Sequence, residues 1–526
     1  MSAVPQTGSR HPWPWSSDRW EKRRLGIEKI LTETMEMVRD IQNERALATS
    51  RALADPALAD YGPVDFVLLP EEYQQPGRSI AKAFESDAEN GRIQSLLLLL
   101  ASLQAFLPET FTDFEKLSRD NPPPWDKYSP DSIYRTLLEN ASIDLNIIQQ
   151  MLHQRRLQTA VAPNQTSAKI SHQGFVLHVA DTLASLALQP AKRKGLITNH
   201  VLALTYLQEG IDVRLLPYHD VVFLSVPYGA MNSDCDWLAA DYLAIPHEIG
   251  HYLFWWGEVE GAAPDNPMAQ TGGKTAVRSH LLGELRAKGL DSEWITHWLE
   301  ELFSDAYACA IAGAVSALSF QEMLSNTPPH LLAHLADGKH PLPEIRPLIQ
   351  SEILRQIGAR SGRPDFAAAA DQLDANWLSW LPQNWSIGDP LAQEFHLHET
   401  APLSGQAMLA QLKPVIAVIL DALAPVLPGA DGAVSWTGGL AAGESLADLY
   451  TRFTSGAFFE YCQPEDTAVT FVREMTRSRN DDEPLQLVAP RLRTKRQVTA
   501  VHFVEELDFT LAGWSTEGPE GSHTGS

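Results

Sequence analysis

Between Tyr242 and Phe254 the chain places His247, Glu248 and His251 in a run that is otherwise apolar, with Tyr242, Leu243, Ile245, Ile249, Leu253 and Phe254 around them. That composition reads as a buried helix, and on a helix positions i and i+4 share one face. Burying two imidazoles and a carboxyl is costly unless partners meet them, so the fold is obliged to supply some. Two histidines one turn apart can point at a single divalent ion, with Glu248 able to reach a water in the open coordination position. A chain with 17 His can also show H-E-x-x-H by accident. The pair would then be core histidines satisfied by backbone or carboxylates. Pro246 leaves the start of the helix open: either the helix begins there, or Asp236–His251 is one kinked helix. Both histidines follow the break in either case.

Further along, Trp298–Ala310 reads as a helix in which Glu301 and Asp305 are again one turn apart. Leu302, Phe303, Ala306, Ala310 and Ile311 surround them with apolar surface. A carboxylate on the ion, followed by a second one that accepts the outer N–H of His247, makes a complementary pair, because a ligand imidazole must donate its other nitrogen's hydrogen somewhere. The alternative is two solvated acids on a helix surface. Glu300 is the nearest rival ligand, but its i+4 partner is Ser304, a poorer orienter. Glu258 and Glu260 lie closer in sequence without any second acid to support them.

A third segment, His340-Pro341-Leu342-Pro343-Glu344-Ile345-Arg346, follows the Glu301 helix. The order H-E-x-x-H, E-x-x-x-D resembles the gluzincin metallopeptidases, the thermolysin-like clan. Together with H-P-x-x-x-x-R it is similar to the membrane zinc endopeptidases that include the prenyl-protein (CAAX) protease and the bacterial heat-shock protease. The resemblance spans Asp236–Leu348, about a fifth of the chain. It implies a zincin-like core holding one Zn²⁺ through His247, His251 and Glu301, with Asp305 behind His247 and Glu248 as general base. It makes His340 and Arg346 candidates for stabilising the oxyanion, beside Tyr450 and Tyr461 on late helices. A loop histidine beside a proline and a structural arginine are the plain alternatives. Gly229-Ala230-Met231-Asn232 faintly resembles the substrate-binding G-A-M-E-N of gluzincin aminopeptidases and marks Gly229 and Ala230 as peptide-contact candidates. Those membrane relatives carry transmembrane helices. Here the longest apolar stretch, Ser95–Leu107, contains Gln104 and reads as too short to cross a bilayer.

The 526 residues carry a formal net charge of −25 with 44% hydrophobic and 20% charged residues. This is a globular composition, and the acidic balance excludes nucleic acid or an anionic membrane as the main partner. Neutral or basic peptides would suit it, although solubility alone also explains the charge. Cys235, Cys309 and Cys462 form no C-x-x-C pair, which suits a reducing cytoplasm. Met1–Trp20 lacks the apolar centre of a signal peptide.

The expected architecture is α+β and predominantly helical: a zincin-like core with a small sheet, embedded in helical N- and C-terminal regions. The expected division is a disordered 1–16, a helical region 17–190, the core 191–350, a helical region 351–512 and a disordered tail 513–526. Helical periodicity falls at 17–55, 78–106, 130–160, 174–188, 347–360, 364–382, 405–424 and 444–461. Strands are expected at 213–216 and 221–226, and 498–504 is a further candidate. Residues 257–275, with several Gly and Pro, read as a loop. The implied activity is hydrolysis of peptide bonds by a soluble, cytoplasmic zinc peptidase acting on a peptide or protein substrate. The competing readings are a non-catalytic scaffold that binds protein partners through its helical regions, and a zinc hydrolase of a non-peptide amide.

Overall fold

The computed structural model describes residues 17–54, 87–120, 130–156, 158–162, 165–169, 172–199, 201–216, 220–228, 242–260, 270–271, 273–329, 331–332, 340–382, 386, 403–428 and 443–454. Three long helices open the chain: α1 (Ser17–Ala54), α2 (Asp87–Asp120) and α3 (Pro130–Gln154). Each buries one stripe at helical spacing. Ile27, Leu31, Val38 and Ile41 come from α1, Ile93, Leu96, Leu100, Leu103 and Leu107 from α2, and Leu138, Ala141, Leu145, Ile148 and Leu152 from α3. The three stripes close on one another, each large side chain contributing about 1.5–3 kcal/mol of burial. The helix holding Ser95–Leu107 is longer than the apolar run itself. Its Gly91–Glu109 window is long and apolar enough to cross a membrane, which corrects the expectation from the run alone, and 61% of that window is buried inside the protein.

The sheet explains why this helical layer sits where it does. It comprises β3 (Leu202–Gln208), β4 (Val213–Leu215) and β5 (Val221–Pro227) in the order β3-β5-β4. β5 runs parallel to β3, with Leu202 opposite Val221, and antiparallel to β4, with Val213 opposite Leu224. Both faces are buried, as expected where parallel strands are covered on two sides. Leu202, Leu204, Tyr206, Val221 and Phe223 join the α1–α3 core, whereas Ala203, Leu207, Val222, Leu224 and Val226 face the second core. That second core includes α4 (His172–Arg193) and the helix bearing the two histidines.

A buried ion-pair cluster ties the layers together. Asp181 on α4 accepts from Arg155 at 2.8 and 3.0 Å and from the Thr205 amide and hydroxyl of β3, each at 2.8 Å. Arg92 of α2 lies 3.2 Å away from the same carboxylate.

The second half is helical around α7 (Glu293–Ala312), preceded by α5 (Ile245–Trp256) and α6 (Val277–Ala287) and followed by α8 (Ala314–Ser325), α9 (Arg346–Ser361), α10 (Pro364–Trp380), α11 (Gly405–Ala422) and α12 (Leu446–Thr454). From Trp298 onward nearly all of α7 is buried, so it is the central post of this half.

The fold is α+β and mostly helical, as the periodicity implied, with three local corrections. The helix expected at 130–160 stops at Gln154, and an antiparallel pair, β1 (Gln158–Ala162) with β2 (Gln165–Lys169), follows it. The 257–275 loop contributes β6 (Glu258–Glu260) and β7 (Gln270–Thr271), which pair with β8 (Lys274–Ala276). β3, α6 and α8 are additional elements. The termini, 498–504, Cys235 and Cys462 lie outside the described residues.

Candidate metal centre

α5 begins at Ile245 with Pro246 in its first turn, while residues 236–241, on which the reading of one kinked helix depends, lie outside the described residues. α5 then crosses α7 at very short range. A Cβ built on Gly250 would lie 2.6 Å from the Cα of Ser304, so only glycine fits there. This close approach lets carboxylates on α7 reach imidazoles on α5.

The Nε2 atoms of His247 and His251 face each other at 3.1 Å. Glu301 Oε2 lies 3.4 Å from the first, and Glu301 Oε1 lies 3.6 Å from the second. Among the described residues these three side chains form a group able to hold a metal ion, all ligand atoms lying within 4.8 Å of one another. For bonds of about 2.0–2.1 Å, donors at the corners of a tetrahedron stand roughly 3.3–3.4 Å apart. The spacing fits.

Chemistry supports the fit. His247 Nδ1 lies 3.0 Å from Asp305 Oδ1, and His251 Nδ1 lies 2.8 Å from Glu300 Oε1. With each Nδ1–H given to a carboxylate, both Nε2 atoms aim at the same point as the Glu301 carboxylate, where a bound ion would take the place of an Nε2 proton. Arg346 Nη2 stands 3.4 Å from His247 Nε2, but it is closer to Glu301 Oε2 at 2.9 Å and Asp305 Oδ1 at 3.0 Å. Convergence of acceptors in a buried place favours a cation. The imidazole of His247 reports the same field: burial opposes its charge, yet Asp305 and Glu301 raise its pKa to about 10.

Arg346, the first residue of α9, is buried, and its guanidinium clamps Asp305 through Nε at 2.9 Å as well as through Nη2. Burial would raise the Asp305 carboxyl, but Arg346 and His247 hold it down at about 2. Glu301 is likewise held well below its ordinary value, against burial, by Arg346, His247 and His340. Gln350 donates to Asp305 Oδ1 at 3.1 Å. His340 is half-buried, its side chain 42% exposed, with Nε2 3.2 Å from Glu301 Oε1. Glu248 sits half-buried in the first turn of α5. Burial raises its pKa, His251 and His247 pull it down, and the charges of Asp212 and Glu301 add to the rise.

His247, Glu248, His251, Glu301, Asp305, His340 and Arg346 therefore come together, from three helices and one loop. Tyr450 packs against the apolar core instead. Tyr461, Gly229 and Ala230 lie outside the described residues. Glu300 is placed differently from its reading as a rival ligand: it bonds the far nitrogen of His251. The sequence signal existed, an acid adjacent to the expected ligand, but its value depends on how α5 crosses α7. Trp255 and Gln350 carried no signal of their own.

No family model matches the chain, and no curated protein or solved structure matches it.

Proposed function

We propose that this protein is a zinc-dependent metallopeptidase of the gluzincin type. The observation that carries the reading is the convergence of His247 Nε2, His251 Nε2 and the Glu301 carboxylate at tetrahedral spacing, with Glu248 next in the chain to the first ligand. Zn²⁺ held by these three would supply Lewis acidity, making a water acidic enough to lose a proton near neutral pH and polarising the scissile carbonyl. Glu248 is the base that takes this proton and passes it to the leaving amine, and its raised pKa suits a group that must both accept and release. His340, half-buried beside Glu301, is the donor for the oxyanion. Arg346, whose Nε and Nη2 are bound to Asp305 and Glu301, anchors the carboxylates rather than touching substrate.

β4 packs beside α5 and is an edge strand of the three-stranded sheet, offering a backbone rim to which an extended peptide adds. The substrate is a peptide or protein segment, and the −25 net charge favours neutral or basic ones. A buried Cys309 thiol and the scattered cysteines suit action in the cytoplasm.

The test pairs the native chain with Glu248→Gln on a peptide pool read by mass spectrometry, with zinc content measured on both. Cleavage falling roughly 10²–10⁴-fold in the variant while zinc is retained is the expected result. Equal product profiles would remove catalysis from this site and leave a metal-stabilised scaffold. Cleavage confined to non-peptide amides would redefine the substrate.

A further inference from the structure

We infer that Glu300 is a positioning residue that fixes the tautomer and ring orientation of His251, so that both histidines of the metal centre are set by carboxylates of one helix, α7. The inference rests on the metal reading above and extends it to a residue outside the ligand set.

Glu300 Oε1 lies 2.8 Å from His251 Nδ1 and 2.9 Å from Trp255 Nε1. An indole N–H can only donate, so this oxygen is an acceptor there. A carboxylate oxygen meeting Nδ1 of His251 requires that nitrogen to carry the hydrogen, which leaves the Nε2 lone pair facing His247 Nε2 at 3.1 Å and Glu301 Oε1 at 3.6 Å. Trp255 is one turn beyond His251 on α5 and is itself held in place, buried, with the Arg278 guanidinium 5.0 Å from its ring centroid. The indole thus steadies the carboxylate, and the carboxylate steadies the imidazole. Asp305 serves His247 Nδ1 in the same way at 3.0 Å.

Neighbouring residues on a helix diverge by about 100°. Glu300 and Glu301 reach the same site only because α5 lies so close to α7 at Gly250 and Ser304. Glu301 then meets the Nε2 side of His251 and Glu300 its Nδ1 side. The bland reading is that Glu300 merely ties α7 to Trp255. The two readings differ in which contact matters.

The experiment uses the full chain as wild type, Glu300→Ala, Glu300→Gln and Trp255→Phe. Zn²⁺ affinity is measured by competition with a chromophoric chelator. The His251 tautomer is read in the metal-free protein by ¹⁵N-histidine NMR, with the signal assigned by its loss in His251→Gln. Glu300→Ala is expected to weaken Zn²⁺ binding on the order of 10–100-fold and to release His251 from its Nδ1–H form. Glu300→Gln, presenting its amide oxygen, restores most of both, and Trp255→Phe, which keeps the carboxylate and loses only its support, falls short of wild type by much less than Glu300→Ala. Unchanged tautomer and affinity in Glu300→Ala would overturn the inference, as would a loss in Trp255→Phe equal to that in Glu300→Ala. A wild type that binds no Zn²⁺ yet shows the Glu300-dependent tautomer would sink the peptidase reading alone.

Discussion

Arg346 grips Asp305 side-on, Nε to Oδ2 at 2.9 Å and Nη2 to Oδ1 at 3.0 Å, while the same Nη2 reaches Glu301 Oε2 at 2.9 Å. One buried guanidinium thus offsets part of the charge of two buried carboxylates, and their fields raise its pKa against the penalty of burial. Removing one partner of such a group leaves uncompensated charge inside. Arg346→Ala should therefore cost about 3–5 kcal/mol of stability. Arg346→Lys should recover part of it, because a point charge lacks the two-pronged geometry. Urea unfolding of the three proteins checks the order; a neutral Arg346→Ala would mean that the carboxylates find another counter-charge.

Gly250 is the second point on which the site depends. Alanine there would place its Cβ 2.6 Å from the Ser304 Cα and 3.0 Å from its Cβ, so α5 and α7 must part. Overpacking of this kind costs about 1–3 kcal/mol. It should also weaken metal binding, since Glu301 and the histidines sit on opposite sides of the contact. Gly26→Ala on α1 meets nothing within 4 Å and is the matching control, expected to be neutral or stabilising. Calorimetry with a zinc titration separates the two; equal zinc affinity in Gly250→Ala and wild type would refute the close-approach argument.

What the sequence disclosed and what it hid follow from interaction range. His247, His251 and Glu301 were legible because i, i+4 spacing and apolar flanks are local properties. The order of its motif marked Arg346 as an oxyanion candidate, with a structural arginine as the alternative, and the acids it clamps emerge only from the α7–α9 packing. The role of Glu300 was hidden, because it depends on an interhelix crossing that no spacing rule encodes. β3 escaped notice for a related reason: Leu202–Gln208 is apolar on both faces, so it lacks the alternation that marks a half-buried strand. The short strands β6 to β8 hid among glycines and prolines, where a turn and a two- or three-residue strand look alike.

Asp181 joins α4 to β3 and, through Arg155 and Arg92, to the N-terminal helices. Asp181→Ala would take the carboxylate from two buried guanidiniums and from the Thr205 amide. A loss of about 3–5 kcal/mol is expected. Zinc affinity should hardly move, because no metal ligand touches this cluster. Hydrogen exchange should show β3 and α4 opening first; a drop in zinc affinity as large as that of Glu300→Ala would show that the two clusters are coupled.

Metal removal ties stability to the centre in a quantitative way. An ion that binds the folded chain and not the unfolded one adds RT ln(1 + [L]/Kd), about 2.7 kcal/mol at one hundred times Kd. The three candidate ligands come from two helices packed in the second core, so the gain should appear in the main unfolding transition rather than in a local one. Chelation is therefore expected to lower the melting temperature by a few degrees, and zinc to restore it. His251→Gln should show neither effect, while Glu248→Gln should show both in full, because Glu248 is not among the ligands. A melting curve indifferent to zinc in the wild type, or a response that survives His251→Gln, would place the ion elsewhere in the molecule.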